Sequence, residues 1–323
     1  MKALILGADG PEFATVAEPA VRATEVLVRV RACALNRADL AMAQGRLHGG
    51  AGGQGSVLGM EWAGEIVALG ADVPEFNIGD RVMGSGAGAF AEYAKADYGR
   101  VLPIPNADLS FDRAATLPVA LQTMHDALIT NGALVSGETI LLQGASSGVG
   151  LMGLRIARAI GAALVIGTST NAARRAQLAP YGADLSLDPN DPTWVQQVLD
   201  ATDGKGVHLI VDQVSGPVAN ANMRATRVLG RIVNVGRLGG MHGDFDFDLH
   251  ALRRIHYIGV TFRTRSNPEV RAITQRLRAD LWPALTQGAL SLPIDRIFPF
   301  AAATGALAHM AANAHFGKIV LAL

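Results

Sequence analysis

One stretch, ILLQGASSGVGLMGLRIARAIGA at residues 140–162, limits the possible folds of this chain more than any other. The apolar run TILLQG (139–144) reads as a buried strand, and the chain then turns at ASSGVG. Beyond the turn, Val149, Met152, Gly153, Ile156, Ala157 and Ile160 recur at helical spacing on one face, while Arg155 and Arg158 fall off it. A strand passing through a glycine-bearing turn into a helix gathers free amides and the positive helix end at one point, which suits a phosphate. Ser146, Ser147, Gly148, Val149 and Gly150 are therefore expected to hold the pyrophosphate of a dinucleotide. The pattern is not a strict G-x-G-x-x-G, since Ala145 and Ser147 stand at the first two glycine positions. The strand–helix–strand context carries the reading instead.

That context extends in both directions. ALVIG (163–167), HLIVD (208–212) and RIVNVG (231–236) read as further strands separated by helical stretches. Strands alternating with helices imply a parallel sheet with right-handed crossovers. The first 118 residues have another grammar. EVLVRVRACAL alternates apolar and charged residues at period two, and GEIVALG and GDRVMG are short strands punctuated by glycine. HGGAGGQGS (48–56) is a glycine-rich loop, read either as a surface connection or as an active-site lid. The tail returns to mixed character and ends in the apolar strand GKIVLAL. At 323 residues the chain is longer than one core usually serves. The expected fold class is α/β: a β-rich domain formed by residues 1–118 and 259–323, interrupted by an α/β dinucleotide-binding domain at 119–258.

Composition excludes several functions. Lys plus Arg number 28 and Asp plus Glu number 28, so no nucleic-acid surface is advertised. The single cysteine, Cys33, can form neither an internal disulfide nor a multi-cysteine zinc site. The opening MKALIL resembles a strand more than a signal peptide, and arginines or glycines cut every long apolar stretch. A soluble cytoplasmic protein without membrane partners is expected.

The second strand of the dinucleotide domain bears on the cofactor. An NAD site usually places an acid at the end of that strand for the ribose hydroxyls. Here GTSTNAARR follows, with no acid before Asp184. Thr168, Ser169 and Thr170 offer hydroxyls, and Arg174 and Arg175 offer positive charge, which together suit a 2′-phosphate. The expected cofactor is NADPH.

The order GMEWAGEIVALGADVPEFNIGDRVMG, GAFAEY, AATLPVALQT and GASSGVG resembles the medium-chain dehydrogenase/reductase superfamily along almost the whole chain. Within it the chain is similar to the zinc-free quinone oxidoreductase branch, and GVTFRTRSNPEVR, LPIDRIFPF and HFGKIVLAL are similar to the tail of the p53-inducible quinone oxidoreductase type. The resemblance implies a GroES-like β-rich catalytic domain, a Rossmann domain, an active-site cleft between them and a homodimer. Zinc members place their ligands where this chain has Asn36, Met60 and Val119, which do not make a usual zinc site, so no metal is expected. Cys33 lies three residues earlier and reads as a small core hydrophobe.

Without a Lewis acid to stabilise an alkoxide, quinones or enones become the expected substrates. Their reduced anions are delocalised, and a hydroquinone loses its proton near the phenol value of about 10. The resemblance assigns Asn36 and Thr123 to the reacting centre. It gives Val214, Val235, Gly236 and Arg237 to the cofactor, with Phe262 and Lys318 close to it. Asp39 is read as orienting local backbone, and His125 as structural. Arg253, Arg254, Arg263 and Arg265 read as a solvated basic face. Three departures stand out. Ala41 and Leu47 lie where relatives carry a cleft tyrosine, Ser215 replaces a glycine in DQVSG, and Asp188 replaces a tyrosine near the adenosine phosphate. The leading expectation is NADPH-dependent, metal-independent quinone reduction. The alternatives are an enone or enoyl reductase and a non-catalytic NADPH-binding protein.

Overall fold

The computed structural model describes residues 1–323 and divides into two compact units. Unit 1 comprises Met1–Val119, Phe262–Thr286 and Ser291–Leu323; unit 2 comprises Ala120–Thr261 and Gln287–Leu290. The chain begins with a hairpin of β1 (Lys2–Gly7) and β2 (Gly10–Thr15). Next come β3 (Glu25–Ala34), β4 (Glu61–Leu69), β5 (Arg81–Ser85), β6 (Tyr93–Asp97) and β7 (Val101–Pro103). In β3 the period-two alternation does what it should: Val28 and Val30 are buried while Arg29 and Arg31 on the other face are not.

Unit 2 holds β8 (Thr139–Gln143), β9 (Leu164–Thr168), β10 (Leu185–Leu187), β11 (Val207–Asp212), β12 (Thr226–Asn234) and β13 (His256–Gly259). They form one parallel sheet in the order β10-β9-β8-β11-β12-β13. Strand order reverses between β8 and β11, and the crevice at the carboxyl ends there is the usual ligand position in such sheets. The helix Gly148–Ile160 follows β8 and ends at Gly161, whose φ of 90° is the left-handed cap that glycine supplies readily. Of the expected stripe, Met152, Gly153, Ile156 and Ala157 are buried and Val149 and Ile160 only partly, while Leu151 and Leu154 are buried too.

The tail returns to unit 1 as β14 (Ile294–Pro299) and β15 (Lys318–Ala322). The sheet there runs β14-β15-β3-β4-β5-β7, with β6 also paired to β3. The register Leu321↔Cys33 and Val320↔Ala34 carries Lys318 toward the end of β3 at which Asn36 follows. Trp62, Phe90, Leu4, Leu35 and Ile66 are among the fully buried side chains of this unit's core. Cys33 is fully buried there, and its Sγ donates to the Ala89 carbonyl at 2.9 Å. The glycine-rich loop is tied to β1 at its end, where Leu6 N–H donates to Ser56 O at 3.0 Å and Gly55 N–H to Leu6 O at 2.8 Å.

Candidate active site

In unit 1, Asn36 ends β3's extension and begins the helix Arg37–Ala43. Its backbone N–H donates to Asp39 Oδ2 at 2.6 Å, the side-chain-to-backbone half of a capping box. Its own side chain does something else. Asn36 Nδ2 donates to Glu61 Oε2 at 2.9 Å, and Asn36 Oδ1 accepts from Lys318 Nζ at 2.9 Å. Lys318 Nζ also donates to Glu61 Oε2 at 2.6 Å, and Glu61 Oε1 accepts from the Val119 N–H at 2.7 Å. Glu61 is fully buried and Lys318 nearly so, each tolerable only because the other is there.

This network lies among the positions to which the resemblance assigns the zinc ligands of metal-dependent relatives. Asn36 and Val119 give it an amide and a backbone N–H, and Met60 packs against the core beside Glu61. No group of three or more His, Cys, Asp or Glu side chains is placed to hold a metal ion. Asp39 completes the cluster. It is fully buried, its Oδ1 has no partner, and burial pushes its carboxyl up to about 7. The Asn36 N–H and the Lys318 charge oppose that rise, and Glu61 adds to it. Glu61 was not anticipated from the sequence. Its only signal in the sequence is the acid of GMEWAG, next to the methionine at the assigned ligand position.

In unit 2 the expected dinucleotide residues gather at the carboxyl ends of β8, β9, β11 and β12. Ser147 caps the helix by accepting from Gly150 N–H at 2.9 Å. The amides of Gly148 and Val149 have no acceptor within the protein. A Cβ on Gly150 would lie 2.6 Å from Gly144 O and 2.7 Å from Ala145 Cα, so only glycine lets the helix start this close to the strand. A Cβ on Gly236 would lie 2.7 Å from Gln213 O. Free amides on a 13-residue helix beside close-packed backbone fit a pyrophosphate. Val235 N–H donates to Asp212 O, Val214 N–H to Asp212 Oδ1, and Arg237 to Val235 O. These bonds tie the loops after β11 and β12 together.

Two of the hydroxyls expected at the 2′-phosphate already have partners within the protein. Thr168 is fully buried, and its hydroxyl donates to Gln143 Oε1 at 2.7 Å while accepting from Gly144 N–H, so it shapes the turn and offers nothing to a 2′-phosphate. Ser169 is also buried, its hydroxyl 2.9 Å from that of Ser146. Arg175 is paired with Asp188 at 3.1 Å, which neutralises the acid that would repel a 2′-phosphate but occupies one of the two arginines. Arg174 stands on the same short helix, Ala172–Arg175. Thr123 lies half-buried in the helix Pro118–His125, and His125 at its end is fully buried. Ser215 takes a conformation with φ 62° and ψ −147°, a region that glycine favours. Phe262 belongs to unit 1, half-buried and 5.7 Å from the Arg265 guanidinium.

The strands and the turn fall within two known domain families. The alcohol dehydrogenase GroES-like domain is recognised at residues 22–106, and the zinc-binding dehydrogenase domain at 148–278. The chain belongs to the medium-chain dehydrogenase/reductase superfamily of oxidoreductases and has its nicotinamide-dinucleotide-binding fold. Among curated relatives, it is 28% identical over 301 residues to a mycocerosic acid synthase-like polyketide synthase of Mycolicibacterium smegmatis. That match takes in 92% of this chain but only 14% of the relative. Among solved structures, an alcohol dehydrogenase superfamily protein from Novosphingobium aromaticivorans is 26% identical with a TM-score of 0.89, over 100% of this chain and 99% of that one. A quinone oxidoreductase from Pseudomonas syringae pv. Tomato DC3000 is 24% identical with a TM-score of 0.86 over 100% of both chains, a likeness of fold. No helix is long and apolar enough to cross a membrane.

Proposed function

We propose that this protein reduces quinones with NADPH, by hydride transfer and without a zinc ion. The observation that carries the reading is the Asn36–Glu61–Lys318 network, which engages Asn36 and the Val119 N–H, two of the three positions assigned to ligands in zinc-dependent relatives. Those positions present an amide, a thioether and a backbone N–H, none of which is a usual zinc donor. An amide N–H can hold a carbonyl oxygen and steady modest charge on it, which is enough for a quinone and too little for an alkoxide.

NADPH, once bound, supplies the hydride. The protein's part is to seat the pyrophosphate on the Gly148 and Val149 amides and to bring Arg174 to the 2′-phosphate. It also aims a carbonyl at the Asn36 amide, positioning being its main lever. The p53-inducible quinone oxidoreductase type, which rests on the resemblance of the tail, belongs to the same reading, as do a homodimer, which rests on the resemblance of the whole chain, and a cytoplasmic location. A second reading, reduction of α,β-unsaturated carbonyls, stands beside it because the same amide would hold that carbonyl.

The test is NADPH oxidation by chelator-treated protein with 1,2-naphthoquinone, an enone run in parallel and NADH as competing donor. Turnover of the quinone that prefers NADPH and survives chelation is expected. Turnover of the enone alone would replace the first reading by the second. Chelator-sensitive turnover would overturn the metal-free chemistry.

A further inference from the structure

We infer that Glu61 and Lys318 are positioning residues that lock the Asn36 side chain in one orientation, leaving a single amide N–H free to meet an acceptor. The inference rests on the proposed role of Asn36 and adds what makes that role possible. An amide group has two ends that differ only in hydrogen bonding, so an isolated Asn presents either its oxygen or its NH2 with little preference. Here the choice is forced. Lys318 Nζ, a donor only, lies 2.9 Å from Oδ1, and Glu61 Oε2, an acceptor only, lies 2.9 Å from Nδ2. Turning the amide over would set NH2 against an ammonium and a carbonyl oxygen against a carboxylate. Both bonds would become repulsions.

The locking pair is itself fixed. Glu61 sits in β4 and accepts on Oε1 from Val119 N–H, while Lys318 begins β15, two strands away across β3. Neither charged group can swing out to water without abandoning the other in the core, with Glu61 fully buried and Lys318 4% exposed. After these bonds, the second Nδ2 proton is left over for a ligand. The geometry also separates two roles for Lys318. As a cofactor contact it would govern NADPH affinity; as a partner of Asn36 and Glu61 it governs turnover.

Two measurements on the full chain test this. The first needs no substrate: side-chain amide NMR of 15N-labelled protein, with the Asn36 resonance assigned from Asn36→Ala. Wild type should give two well-separated Nδ2 proton signals with slowed solvent exchange. The double variant Glu61→Gln/Lys318→Met, which removes both charges so that neither is stranded, should show a collapsed separation and faster exchange. The second compares kcat with NADPH dissociation constants. The double variant should lose about 10- to 100-fold in kcat while NADPH affinity changes by less than about twofold. Adding Asn36→Ala to it should cost less than the same change costs in wild type, and Lys318→Arg should recover part of the loss.

An Asn36 amide equally ordered in the double variant would overturn the inference. So would kcat preserved alongside weakened NADPH binding, which would make Lys318 a cofactor contact. Full activity of Asn36→Ala alone would instead sink the assigned role of Asn36, and with it any reason to lock it. The NMR result stands whichever substrate proves right.

Discussion

The Lys318 ammonium and the Glu61 carboxylate form a 2.6 Å ion pair inside unit 1, joining β15 to β4 at almost no exposure to solvent. Each group carries a large desolvation penalty that only the other offsets. Lys318→Met alone should therefore cost about 3–5 kcal/mol, because it strands a buried carboxylate. The double change Glu61→Gln/Lys318→Met should recover most of that. Urea unfolding of the two variants beside wild type checks the ordering; equal losses would mean that water reaches Glu61.

Asp39 predicts an unusual pH trend. Its folded carboxyl titrates near 7, raised by burial from an ordinary 3.8. The folded state thus holds this proton to higher pH than the unfolded state does. The resulting stability is fully present below pH 4, falls as pH rises from about 4 to 7, and is gone above that. The span is on the order of 4 kcal/mol, from about three pH units at 1.36 kcal/mol each. Asp39→Asn, which can still accept from the Asn36 N–H, should abolish this slope. Its stability relative to wild type should rise between about pH 4 and 7 and level off above that. Parallel pH–stability curves for the two proteins would contradict the buried acid.

Ser215 holds a glycine-like backbone while its hydroxyl donates to Gly236 O at 2.6 Å and accepts from Asn234 Nδ2. Such a conformation costs about 1–3 kcal/mol in a residue with a Cβ. Ser215→Ala keeps the strain and loses both bonds. Ser215→Gly loses the bonds and relieves the strain. The glycine variant should be more stable than the alanine variant by at least about 1 kcal/mol, read from urea midpoints. The reverse order would show that the strain is not real.

Gly150→Ala should damage the dinucleotide site directly. The new Cβ would press on Gly144 O and Ala145 Cα, backbone atoms that cannot rotate away. The helix start must then shift from β8, taking the Gly148 and Val149 amides with it. NADPH affinity should fall at least about 10-fold, with a stability loss of about 1–3 kcal/mol from overpacking. Fluorescence titration of bound NADPH measures the first. Unchanged affinity would show that those amides do not bind the phosphates.

Periodicity alone exposes much of the fold. The β3 alternation and the strand–turn–helix at 139–160 are local patterns, each set by which faces must be buried, and such patterns survive in a one-dimensional string. The candidate site was legible only in part. Gly148 and Gly150 could be named because they sit in a motif of a few consecutive residues, whereas Asn36 came from the family resemblance.

What the tertiary structure alone decided is the partnership of residues far apart in sequence. Asn36 and Lys318 are separated by 282 positions, and Glu61 and Lys318 by 257. Nothing local links them; the antiparallel pairing of β15 with β3, and of β3 with β4, brings them together. Likewise, burial turned Thr168 inward and Asp39 into a group that keeps its proton near neutral pH. A sequence shows which residues can donate, accept or ionise. Which of them face one another, and how little water is left between them, depends on strand order and register.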